Sequence, residues 1–172
     1  MSPVPENAIA RLTDQQALWI VQSLAGEFAQ DDLPQDTAGQ AQALNSAFAK
    51  LGQGTDALTI ASADAAEAGP AARKLLDLMH RVPDLRPSLD AWLANPPRQE
   101  SAALPIALAA PVVLTGCLVL LQVAGHMFIE RTPAGKWHVS YDPARETKLD
   151  NTMSEIVRTL ADLIWKMAPG RA

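Results

Sequence analysis

The chain has 172 residues, 48% hydrophobic and 5% aromatic, with a formal net charge of −5. That suits one domain, or a helical part joined to a small α/β part, and excludes wholesale disorder. Residues 1–100 carry seven Lys/Arg against 13 Asp/Glu and residues 101–172 seven against six; with no basic block in either half, a nucleic-acid partner is not expected.

The first clear helix is LTDQQALWIVQSLAGEFAQ, residues 12–30. Thr13 with Gln16 three residues later forms a capping-box pattern. Leu12, Ala17, Leu18, Val21, Leu24, Ala25 and Phe28 then follow helical spacing, with Trp19 and Ile20 beside that stripe. After the break at DDLPQDT a second helix runs from Asp36 or Thr37 to Leu51, burying Ala41, Leu44, Phe48 and Leu51, and Gly52 stops it. Residues 54–68 read mostly as loop. Pro70 suits the first position of a third helix, 70–81. A fourth, 85–94, ends at NPPRQE, the best candidate boundary between halves.

Residues 101–129 contain no Asp, Glu, Lys or Arg. A spanning helix needs roughly 20 mainly apolar residues, and 102–124 meets that length. Pro105 and Pro111 interrupt the run, Thr115-Gly116 loosens it, and neither flank carries a cluster of basic residues. The soluble reading has ALPIALAA as a short extended or helical lead-in. Pro111 then opens a buried helix or strand, PVVLTGCLVLLQV, and Gly125 bends the chain. So apolar an element must be covered on several sides, by other helices or by a partner chain.

TPAG at 132–135 sets a turn between two strands. The register with Gly135 in a bulge pairs Met127 with Tyr141, Ile129 with Val139 and Arg131 with Trp137 on the apolar side. Phe128 with Ser140, Glu130 with His138 and His126 with Asp142 fall on the other. The strongest helix pattern in the chain follows in KLDNTMSEIVRTLADLIWKMAPG, residues 148–170, whose apolar face is expected to cover that hairpin.

Chemistry-bearing residues are few. His80 suits the end of the third helix, where a cation complements the helix dipole. His126 and His138 share a hairpin face with Glu130 and Asp142, but lie about 13 Å apart, too far to share one ion. Cys117, the one cysteine, has no basic neighbour to activate it and reads as a small hydrophobe. Its isolation fits a reducing compartment. GQGTD at 52–56 lacks the rest of a nucleotide fingerprint and reads as a helix stop and turn. Arg131 beside Trp137 reads as a structural cation–π pair. No catalytic, cofactor-binding or metal-binding residue is assigned, and no cofactor is expected.

The sequence therefore predicts an α+β fold, with a helical N-terminal half, then a buried apolar element, a β-hairpin and a packed C-terminal helix. Residues 1–97 form the helical region and 98–172 the rest, within one domain or two. The function expected is that of a small, acidic, bacterial-type, non-enzymatic interaction or accessory protein. It would act in the cytoplasm within a protein complex or as a homo-oligomer. The alternative is a membrane-anchored protein with residues 102–124 as a single inner-membrane span.

Overall fold

The computed structural model describes residues 7–29, 33–34, 37–50, 65–98, 106–125, 127–135, 137–141 and 158–159. Among them are five helices: α1 (Asp14–Phe28), α2 (Thr37–Lys50), α3 (Ala65–His80), α4 (Arg86–Ala94) and α5 (Ile106–Gly125). Two short strands follow, β1 (Met127–Arg131) and β2 (Trp137–Tyr141).

The start of α1 is fixed by its sequence. Thr13 Oγ1 accepts from the Gln16 backbone N–H at 3.1 Å, and Gln16 Oε1 accepts from the Thr13 N–H at 3.0 Å. This reciprocal box satisfies two donors that a helix start leaves without partners. The apolar stripe then buries Ala17, Leu18, Ile20, Val21, Leu24 and Ala25.

Two helices begin earlier than the prolines suggest. Pro70 and Pro111 are each the sixth residue of their helix, α3 and α5, and not the first. A proline there removes a single backbone hydrogen bond, to the carbonyl four residues upstream. Ala65, Ala66 and Ala68 in α3, and Ala107, Ala109 and Ala110 in α5, are the best helix formers available. The expected loop over 65–68 is accordingly helix, and the expected lead-in from 106 is the first part of α5.

α5 is the centre of the molecule. Val112, Val113, Leu114, Cys117, Leu118, Val119, Leu120 and Leu121 are all buried. Positions along a helix turn by about 100° per residue, so this set together with the buried Gln122 covers every side of the stretch from 112 to 122. α1 and α3 pack on it from one direction and α2 from another. Gly116 makes the closest approach possible: a Cβ there would lie 2.5 Å from Val21 Cγ1 and 2.6 Å from Leu75 Cδ2.

Among the described residues no helix is long and apolar enough to cross a membrane. The 20-residue α5 would measure about 30 Å, the thickness of a hydrocarbon core, so length alone does not argue against a span over 102–124. The enclosure by α1, α2 and α3 does, because α1 and α3 turn exposed polar residues outward, among them Asp14, Gln22, Glu27, Lys74 and Asp77.

The α+β class is overturned. The described part of the chain is 72% helical, and its buried core residues lie in the helices, in the segments that join them and, for Leu12, just before α1. The architecture is therefore α-helical, with helices of up to 20 residues against strands of five. β1 and β2 pair antiparallel, with Met127 opposite Tyr141 and Arg131 opposite Trp137. Gly135 turns the chain at φ 82°, and its N–H reaches Thr132 O at 2.8 Å. This two-stranded ribbon is the one sheet among the described residues, and β2 lies beside α2; the expected docking of the 148–170 helix on it lies outside the described residues. Of the expected helix over 148–170 only Arg158 and Thr159 are described, both helical. The rest of it lies outside the described residues, as do 54–64.

Candidate interaction surface

The richest cluster of side chains outside the core lies where α4 docks on α1 and α3. Arg86 and Pro87 open α4, with Leu85 as its N-cap, and Leu89 and Leu93 turn into the core. Ser88 and Trp92, four residues apart, share the flank toward α1. Ser88 Oγ donates to Glu27 Oε1 at 2.8 Å. Trp92 meets Trp19 edge to face, with ring centroids 4.7 Å apart and planes at 70°. Beyond the end of α4, Gln16 Nε2 donates to Pro97 O at 2.8 Å. Partners 27–88, 19–92 and 16–97 run in opposite order, so α4 lies antiparallel to α1.

The tryptophans are half-buried, and neither indole N–H has a hydrogen-bond partner among the described residues. An edge-to-face pair of this kind contributes about 0.5–1.5 kcal/mol beyond its area. The two rings therefore leave part of their apolar surface exposed on this face.

The other flank of α4 faces α3. His80 Nε2 and Asp90 Oδ1 are 2.8 Å apart, and both side chains are more than a third exposed. Arg86 Nε donates to the His80 carbonyl at 2.8 Å. Burial pushes the Asp77 carboxyl above its ordinary range, and the charges of Arg81 and His80 oppose that. His80 thus sits at the end of α3, as its sequence position suggested, and its partner is Asp90 on the next helix. An exposed pair of this type contributes up to about 1 kcal/mol.

Cys117 is fully buried, and burial pushes its thiol up to about 12. It cannot supply a thiolate at neutral pH, as a nucleophile must. Glu130 and His138 are paired across the strands and so are Arg131 and Trp137, by backbone register alone. His126, Asp142 and GQGTD at 52–56 lie outside the described residues. Among the described residues no group of three His, Cys, Asp or Glu could hold a metal ion.

One buried polar residue gave no functional signal in the sequence. Gln40 in α2 is fully buried, and its Nε2 approaches Pro34 O at 3.1 Å, Pro111 O at 3.2 Å and Thr115 Oγ1 at 2.9 Å. Thr115 Oγ1 itself donates to Pro111 O at 2.8 Å. Gln40 Oε1 and, farther along α5, Gln122 Oε1 are buried without a hydrogen-bond partner. Each such oxygen costs about 1–3 kcal/mol. The sequence carried a hint: Gln40 is four residues before Leu44, on the stripe that α2 buries.

No family model, no curated protein and no solved structure matches the chain.

Proposed function

We propose that the protein is a small non-enzymatic interaction or accessory protein that works within a protein complex. The observation that carries this reading is the half-buried, edge-to-face Trp19–Trp92 pair on the α1–α4 face. Paired aromatics on a rigid helical face are the residue types that dominate binding energy at protein interfaces. The excess of acidic residues over residues 1–100 supplies a field that favours a basic partner surface. The buried, proton-holding Cys117 and the exposed His80–Asp90 pair lend no support to nucleophilic chemistry. The cytoplasm suits this reading, because a lone thiol needs no oxidising compartment.

The test is affinity capture from the native host with the wild-type chain and with Trp92→Ala, each checked for an unchanged helical spectrum. Truncating a hot-spot tryptophan costs about 2 kcal/mol or more, roughly thirtyfold in affinity. A partner held by the wild type and lost with folded Trp92→Ala supports the reading. A partner retained undiminished by folded Trp92→Ala and Trp19→Ala alike overturns this face as the contact.

A further inference from the structure

We propose that α2 is a hinged cover over α5 that opens independently of the rest of the bundle. The two seams of α5 differ in kind. Toward α1 and α3 the contact at Gly116 is apolar and made at close range, against Val21, Leu75 and Met79. Toward α2 the contact is polar: Gln40 docks on Pro111 O and Thr115 Oγ1.

Helical spacing extends that polar seam. Positions 111, 115, 118 and 122 follow intervals of four, three and four, so Gln122 lies on the stripe of α5 that begins under Gln40. Gln40 and Gln122 are the two buried polar residues of the described core, and each leaves its side-chain oxygen without a partner. Closing this seam strips water from both oxygens and returns nothing to them. Opening it restores their hydration, whereas opening the α1–α3 side would only expose packed hydrocarbon. The cheapest separation among the described helices is therefore that of α2, with β2 beside it, from α5. It uncovers the stripe through Pro111, Thr115, Leu118 and Gln122 while α1, α3 and α4 stay in place.

Native-state amide hydrogen exchange on the intact chain tests this, read separately for each helix in low concentrations of urea. The cover predicts α2 amides exchanging at least tenfold faster than the slowest amides of α1 and α3. It also predicts that Gln122→Leu, which removes one orphaned oxygen from the closed seam, slows α2 exchange several-fold. Slowest α2 amides as protected as those of α1 and α3 would overturn the proposal. So would an α2 rate unchanged by Gln122→Leu.

Discussion

Two glycines with opposite surroundings show how packing decides the sign of one added methyl group. At Gly116 a Cβ would meet Val21 and Leu75 side chains closer than real Cβ atoms come. Helix propensity favours alanine by about 1 kcal/mol, but overpacking a filled core costs about 1–3 kcal/mol. Gly116→Ala is expected to lower stability by about 1–2 kcal/mol, because α1 and α3 must both retreat. Gly26, in the last turn of α1, has nothing within 4 Å of such a methyl group. Gly26→Ala should stabilise by about 0.5–1 kcal/mol. Urea unfolding of both variants checks the pair, and equal signs would contradict the packing described at Gly116.

At the scale of elements, local capping and global burial act on different helices. α1 depends on its box, so Thr13→Ala should cost about 0.5–2 kcal/mol in thermal or urea unfolding. The limits of α1, α2 and α4 were legible because each has an apolar stripe and a breaker in sequence, with a capping box added in α1. The starts of α3 and α5 were not. Proline is a strong local signal for a helix start, and alanines upstream carry no periodicity against which to weigh it. Tertiary burial of Ala68, at 0% exposure, shows that the turn before Pro70 belongs to the packed bundle. The surface pair was equally hard to read: Trp19 and Trp92 each look like the margin of an apolar stripe, and only the antiparallel docking of α4 joins them. The α+β class failed because the described chain is dominated by helix: among the described residues the core around α5 is built by α1, α2 and α3, against two strands of five residues.

For the whole molecule, the burial of Cys117 in α5 makes stability depend on pH. Its thiol titrates near 12 in the folded chain against an ordinary value of 9.0. A folded value above the unfolded one means that the contribution is complete below pH 9 and declines as pH rises toward 12. Urea unfolding from pH 8 to 11 should therefore show stability falling more steeply in the wild type than in Cys117→Ala. Parallel curves would mean that Cys117 is no more buried in the folded chain than in the unfolded one.

The most direct measurement of α5 as the protein-enclosed axis is thiol labelling of Cys117 in detergent-free buffer, on material shown by light scattering to be monodisperse. The account predicts no reaction on the timescale of a free thiol while the chain is folded, and one thiol per chain released by urea. Prompt labelling of the folded protein, or a chain that stays dispersed only in detergent, would contradict it.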